Sequence, residues 1–357
     1  MASDVFMVKV GNGDPDKVVE RKLNALVDAS GVLGFLKKDD YTGIKIHFGE
    51  EGNTGHIKAE WLDGLIERLR SVTNNIFFTD TNVLYKQSKR TNAVDHLKLA
   101  YSHGFGLQKM NVPVIIADGL WGRNYTEIEI NKKRFSKVKI ASDIVDCDSL
   151  LALTHITGHI MTGFAGAIKN LGMGCASRRG KFEQHCGIVP DLNTKECVGC
   201  SLCVSNCPAN AITLSNGKAK IDEVNCIGCG ECVVVCKTEA LNAQWSETLA
   251  NLQEKMVEYA CGAVKSVDKR VGYINFLTNI TRDCDCLAKD EPRIVEDVGI
   301  LASSDLVSID SASAEILNGL RGKDIFRQEY PQIDWKVQLN YAASLGMGDI
   351  NYKLRIV

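Results

Sequence analysis

The sequence has no run of about eighteen consecutive apolar residues, so no helix is expected to span a bilayer. Its opening stretch, MASDVFMVKVGNGD, offers neither a basic leader nor a long apolar region, and a secretory signal is not expected. An excess of one charge sign is also missing. Lys and Arg number 42 against 44 Asp and Glu, a formal net charge of −2, which leaves no global field to draw nucleic acid or an anionic membrane. The basic cluster Arg178, Arg179, Lys181 is local and by itself reads as a solvated loop. Two nucleotide signatures are absent as well. No G-x-G-x-x-G follows the first strand-like run, which argues against a Rossmann nicotinamide site, and no Gly-Lys-Ser/Thr closes a P-loop.

Histidine is scarce, at 7 residues, whereas cysteine numbers 14. Without a secretory signal, that many thiols point to the reducing cytoplasm, where cysteine binds metal or does redox chemistry instead of forming disulfides. With 357 residues, 45% of them hydrophobic and 24% charged, the chain can bury the core of one large domain or two ordinary ones.

Eight of the cysteines fall in two runs, CVGCSLCVSNCPANAI (197–212) and CIGCGECVVVCKTEAL (226–241). Each has the spacing C-x2-C-x2-C-x3-C. Zinc sites usually take two separated pairs, so a zinc ribbon fits poorly. Three thiolates in one tight turn suit three corners of an iron–sulfur cube, and in two-cluster ferredoxins the fourth cysteine of each run ligates the other cluster. The spacing therefore predicts two [4Fe-4S] clusters, one on Cys197, Cys200, Cys203 and Cys236, the other on Cys226, Cys229, Cys232 and Cys207. Crossed ligation brings the clusters close enough to exchange electrons. Pro208 follows the first run as the bacterial pattern has it; Lys237 stands in its place after the second, with the ligands intact. A purely bracing role is the plainer alternative, but two adjacent clusters exceed what a brace needs.

On either side of this block, strand-like and helical patterns alternate. GIKIHFGE (43–50), NIFFTDTN (75–82), VPVIIADG (112–119), LLALTHIT (150–157), VGYINFLTNI (271–280) and RIVEDVGILAS (293–303) read as strands. Residues 57–72, 91–103, 246–262 and 305–320 read as helices, 127–141 as a hairpin, and 333–357 as a short helix with an edge strand. The expected fold is α/β: a mixed, largely parallel sheet with helices on both faces. Residues 1–189 and 246–357 would form this domain, with 190–245 inserted as an α+β two-cluster ferredoxin-like module.

Four polar stretches of the α/β part are candidate sites. GEEGNTGH (49–56), with Gly49, Gly52, Asn53, Thr54, Gly55 and His56, is expected to join a strand to a helix whose N-terminus suits phosphate. Asp80, Thr81 and Asn82 lie at a strand's carboxyl end, where open α/β sheets bind ligands. The segment 154–186 carries His155, His159, Gly163, Gly166, Lys169, Asn170, Gly172, Gly174, Cys175, Arg178, Arg179, Lys181, His185 and Cys186. So many glycines among reactive side chains read as backbone wrapped around a ligand. Cys284-Asp285-Cys286 suits a metal or a redox site, while Cys147 and Cys261 read as core.

Together these pieces resemble the iron–sulfur members of the DUF362 family: IKIHFGEEGNTGHI, FFTDTNVLY with Arg90 and Asn92 beyond it, VIIADGLWG, GHIMTGFAGAIKNLGMGCASRRGK, the eight cluster cysteines, DCDC, and DVGILASSDLVSID. Where the family pattern has a lysine near position 157, this chain has Thr157, so no role of that lysine transfers. The resemblance implies an α/β domain around a ferredoxin module and leaves the chemistry to the site.

The reading these residues favour is an oxidoreductase passing electrons between the clusters and a bound flavin (FMN-like) or deazaflavin. In it Lys169, Arg178, Arg179 or Lys181 neutralises a phosphate or a reduced ring, and His155 and His159 are candidate proton donors. Two alternatives are an electron carrier that docks on a partner oxidoreductase, and a metal or cluster trafficking factor using Cys175, Cys186, Cys284 and Cys286. The expected partners are a redox protein or a small-molecule substrate, with no nucleic acid and no membrane; a homo-oligomer is compatible.

Overall fold

Along the strand-like runs the side chains alternate between two apolar layers, as a sheet covered on both faces requires. Ile44, Phe78, Leu151, Ile274 and Ile300 enter one core, whereas Phe77, Leu150, Ala152, Tyr273 and Leu301 enter the other. The computed structural model describes residues 2–84, 88–185, 189–226, 230–238, 240–242 and 247–357.

The sheet has eight strands: β1 (Ser3–Lys9), β2 (Thr42–Lys45), β3 (Ile76–Asp80), β4 (Val114–Ile116), β5 (Ser149–His155), β6 (Val271–Leu277), β7 (Gly299–Ser303) and β8 (Tyr352–Ile356). Their order is β8-β1-β7-β6-β5-β2-β3-β4. β7 runs antiparallel to both its neighbours, and every other pairing is parallel. Helices Asp16–Ser30 and Asp63–Arg70 cover one face through Leu23, Leu26, Leu65 and Leu69. Helices Leu249–Ser266, Leu306–Arg321 and Lys336–Ser344 cover the other through Met256, Ala260, Ile309, Ala312 and Leu339. The fold is thus α/β, with a mixed, mostly parallel sheet.

β5 and β6 lie side by side with Ala152 opposite Tyr273, yet the whole cysteine-rich block falls between them in sequence. Parallel neighbours need a crossover, and the block is part of this one. Where it leaves and rejoins the crossover, Asp191–Leu192 and Leu241–Asn242 pair antiparallel. Ile212, Ala219, Val233 and Leu241 give it a small core of its own with Cys197, Cys203 and Cys232, and Leu84 and Phe182 of the α/β part pack into that core.

Several boundaries depart from expectation. Residues 57–72 form a 3-10 turn, Ala59–Trp61, followed by a helix only from Asp63, because Lys58 is extended and no side chain caps either start. The strand expected over 293–303 begins at Gly299. Upstream, Arg293 bonds Asn279 Oδ1 at 2.7 Å and Asp297 Oδ1 at 3.2 Å, and Asp297 accepts Asn279 N at 2.6 Å, which holds a loop there. The segment 154–186 is not an irregular wrap: it holds a hairpin, Thr157–His159 with Gly163–Ala165, and helices Ala167–Gly172 and Arg178–His185. The first of these helices starts on the buried Asp310 carboxylate, which accepts Ala167 N at 2.7 Å and Ile168 N at 2.8 Å. A side chain on Gly166 would collide with that carboxylate. β1 and the helix Asp16–Ser30 were not anticipated; β1's partners, β7 and β8, lie at the far end of the chain.

Candidate functional site

The carboxyl ends of β2, β3 and β5 open on a cleft of about 830 Å³, open solvent at its mouth included. That is the usual place for a small-molecule site in an α/β sheet. The strands contribute Lys45, Asp80 and His155, and His47 and Thr81 stand just beyond them. Helix Ala167–Gly172 adds Lys169 and Asn170, helix Arg178–His185 adds Lys181 and His185, and a loop adds Cys284, Asp285 and Cys286.

The charges at the floor are almost fully buried and paired. Lys45 Nζ lies 3.0 Å from Asp80 Oδ1 and donates to Asn170 Oδ1 at 2.7 Å. Burial alone would raise the Asp80 carboxyl, but the charges of Lys45 and Lys181 outweigh it and hold the group well below the ordinary range. His96 lies 3.8 Å from the other Asp80 oxygen, and burial drives it well down, so its ring is neutral. Lys181 donates to Thr81 Oγ1 and, at 2.6 Å, to the Asn82 carbonyl. Burial pushes the Lys181 ammonium down and the facing Asp118 carboxyl up. Gly174 is required here, because a side chain on it would strike Lys45 and the Asn170 carbonyl.

His155 has both ring nitrogens committed: Nδ1 lies 2.6 Å from Asp285 Oδ2 and Nε2 lies 2.7 Å from the Thr278 carbonyl. Two acceptors require two ring protons, hence an imidazolium. Burial opposes that charge, but Asp285 and the Thr278 carbonyl outweigh it and raise the ring's pKa; burial likewise opposes the Asp285 charge, and His155 outweighs it and lowers that group's pKa. The pair therefore contributes its full stability between the unfolded values, about 3.9 for Asp and 6.5 for His, and loses it as pH rises through the raised histidine value or falls through the lowered aspartate value. Urea midpoints measured across pH should drop at both flanks for the wild type. His155→Gln should be less stable in the middle of that window and flatter across it; an unchanged pH profile would refute the ion pair.

Not every expected residue reaches the cleft. Asp80, Thr81, Gly166, Lys169, Asn170, Gly174, Lys181 and His155 line it, but His159, Asn82, Gly163, Gly172, Arg178 and Arg179 do not. His159 is turned into its own hairpin, where Nδ1 accepts from Thr162 N at 3.2 Å and burial keeps the ring neutral. Arg178 donates to the Thr91 carbonyl at 3.3 Å, and Arg179 to the Tyr125 hydroxyl at 2.9 Å. Cys175 is fully buried in the sheet core, and burial pushes its thiol up to about 12. Cys186 lies outside the described residues.

The loop 49–56 is a correction, since none of its residues lines the cleft. Its polar groups are turned elsewhere. Glu50 is buried against Arg90 Nε at 3.1 Å, Asn53 Nδ2 donates to the Lys289 carbonyl at 3.3 Å, and Thr54 Oγ1 donates to Asp290 Oδ1 at 2.7 Å. Thr54, Gly55 and His56 instead face a separate cavity beside Trp61 and Arg293, and the α-helix meant to present its N-terminus starts only at Asp63. The loop braces the cleft through the Glu50–Arg90 pair. Lys45 and His47 were missed by sequence reasoning; the signal was a lysine within an otherwise apolar strand, which a buried strand carries only with a partner.

Two smaller cavities lie in the cysteine-rich block. One, of about 340 Å³ with open solvent included, is lined in part by Cys197, Cys200, Cys203 and Cys236. The other, of about 320 Å³, is lined by Cys207, Cys226 and Cys232; Cys229 lies outside the described residues. Backbone N–H groups point at sulfur in each set: Ala219 N to Cys197 Sγ at 3.4 Å and Ala211 N to Cys207 Sγ at 3.2 Å. Among the described residues no three Cys, His, Asp or Glu side chains converge as a single metal ion would require. We call these two sulfur-lined cavities cages.

The cleft and the cysteine-rich block share a wall. Helix Arg178–His185 turns Lys181 and His185 into the cleft and packs Phe182 into the core of the cysteine-rich block. Leu84 likewise lines the cleft and joins that core.

A family profile described as "Domain of unknown function (DUF362)" matches residues 42–315. No curated protein matches. Among solved structures, the lactate racemase apoprotein from Thermoanaerobacterium thermosaccharolyticum is similar with a TM-score of 0.41 and 15% identity, over 76% of this chain and 50% of that one. A Thermotoga maritima protein is similar with a TM-score of 0.40 and 10% identity, over 94% of this chain and 60% of that one. This chain thus spans about half to three fifths of those structures' length, and likeness of that degree does not extend to a site or an activity.

Proposed function

This chain belongs to the DUF362 family, and we propose that it is an iron–sulfur redox protein, an oxidoreductase passing electrons between two [4Fe-4S] clusters and a flavin or deazaflavin held in the large cleft. The observation that carries this reading is the shared wall: helix Arg178–His185 faces the cleft with Lys181 and His185 and packs Phe182 into the apolar core that contains Cys197, Cys203 and Cys232. The inserted module, residues 190–245, would hold one cluster on Cys197, Cys200, Cys203 and Cys236 and the other on Cys207, Cys226, Cys229 and Cys232; each accepts and releases single electrons. In the cleft, Lys169 and Lys181 supply positive charge for a phosphate or a reduced ring, and the buried Lys45–Asp80 pair fixes the floor. The apolar wall of Leu84, Leu153 and Met173 offers a surface for a flat ring.

Protein purified without oxygen should release a flavin or deazaflavin on denaturation, or take one up when it is added. Lys169→Ala should weaken that uptake by roughly tenfold, the loss of one charge-assisted hydrogen bond, and leave the iron content unchanged. If neither chromophore binds at micromolar concentration while both clusters are intact, this reading fails. The electron-carrier reading then takes its place. It is favoured by Val198 and Val224, exposed at 70% and 92% beside the cluster cysteines, where a partner protein can dock.

A further inference from the structure

The loop Cys284-Asp285-Cys286 places two thiols in the large cleft, one residue apart. Each thiol influences the other electrostatically. Cys286 Sγ is also 3.4 Å from His47 Nε2. The direction of that bond follows from the other side of the ring: Gly49 N donates to His47 Nδ1 at 2.9 Å, so Nδ1 is the acceptor and the proton resides on Nε2. His47 therefore donates to Cys286. With His47 as donor and Lys169 adding positive charge, Cys286 has the surroundings of a thiolate and Cys284 those of a thiol. The loop is clamped in place: Arg90 Nη2 donates to the Cys286 carbonyl at 3.2 Å, and the intervening Asp285 is held by His155 at 2.6 Å.

We propose that Cys286 and Cys284 are the nucleophilic and resolving thiols of a thiol–disulfide exchange site that takes a small-molecule disulfide from the cleft. The Cys286 thiolate attacks one sulfur of the substrate, R–S–S–R′; that S–S bond breaks, a mixed disulfide forms on Cys286, and R′S⁻ departs. The Cys284 proton passes to the departing thiolate, and the Cys284 sulfur then attacks Cys286 Sγ, displacing RS⁻. The protein's dithiol is oxidised to the Cys284–Cys286 disulfide, and the substrate is reduced by two electrons to R′SH and RS⁻. An external dithiol restores the starting state by the reverse exchange. A second cysteine one residue away is what separates this chemistry from catalysis by a single thiol, which has no use for a resolving group. Neither step involves the cysteine-rich block, so this site stands or falls separately from electron transfer.

The test uses anaerobic holoprotein with 2-hydroxyethyl disulfide as the probe, followed by acid quench, alkylation and peptide mapping, with iron content measured in the same samples. Wild type should form the Cys284–Cys286 disulfide, and dithiothreitol should reverse it. Cys284→Ser should stop at a stable mixed disulfide on Cys286. Cys286→Ser should react at Cys284 roughly tenfold more slowly, the ratio expected of a thiol against a thiolate after allowing for the thiolate's lower intrinsic nucleophilicity. The proposal is overturned if wild type forms no Cys284–Cys286 disulfide, or if Cys284 in the Cys286→Ser protein reacts as fast as Cys286 does in Cys284→Ser.

Discussion

On the proposed two-cluster reading, Cys207→Ala is expected to lose about half of the protein's iron, and the lost cluster should be the one held by Cys226, Cys229 and Cys232, not the one whose ligands adjoin Cys207 in sequence. The cage that contains Cys207 also contains Cys226 and Cys232, while Cys197, Cys200 and Cys203 share theirs with Cys236. Removing Cys207 therefore opens one cage and leaves the other with its four sulfurs. Cys236→Ala should do the converse. Iron analysis combined with paramagnetic resonance of the reduced protein separates the two clusters. Loss of the Cys197, Cys200, Cys203 cluster in Cys207→Ala would show that each run closes its own cage.

The second large effect is expected at the floor of the cleft. Lys45→Met should destabilise the protein by about 3–5 kcal/mol, because breaking a buried pair leaves an uncompensated charge. Lys45 is 1% exposed and Asp80 3%; His96, 3.8 Å away, is a neutral ring, and Lys181 is engaged by Thr81 and the Asn82 carbonyl. The wild-type carboxyl is held well below its ordinary value, so its contribution is present above about pH 3.9 and is lost as pH falls through the lowered value. The gap between variant and wild type should accordingly narrow in acid, where Asp80 of the variant takes up a proton. Adding Asp80→Asn to Lys45→Met should recover part of the loss, since the charge itself is removed. Urea unfolding of the three variants measures this, and a single-variant loss under about 1 kcal/mol would show that Asp80 finds another partner.

How much of this was readable before folding depends on the distance between partners. The hairpin over 127–141 was legible because both its strands are contiguous, and it forms as Tyr125–Glu129 with Lys137–Ala141. The alternation of strand and helix was legible because periodicities of two and 3.6 are local properties. β1 was not, since its partners, β7 and β8, come from the other end of the chain. The cleft was half legible. Asp80 and Thr81 could be placed from their position at a strand end, but their neighbours Lys45 and Lys181 arrive from other elements through parallel pairing and the crossover. The glycine-rich loop 49–56 misled for the same reason: its composition suits a ligand, yet tertiary contacts with Arg90, Lys289 and Asp290 occupy it.

Sequence by itself determined the α/β alternation, the family, and the spacing of the cysteine runs, because strand and helix periods and the reach of a tight turn are set by neighbours along the chain. Only the tertiary structure decided that helix Arg178–His185 and Leu84 stand between the cages and the cleft, and that Cys286 meets His47. Those arrangements join residues far apart in sequence, and they are set by sheet order and by the pairing of buried polar groups that must find partners once water is gone.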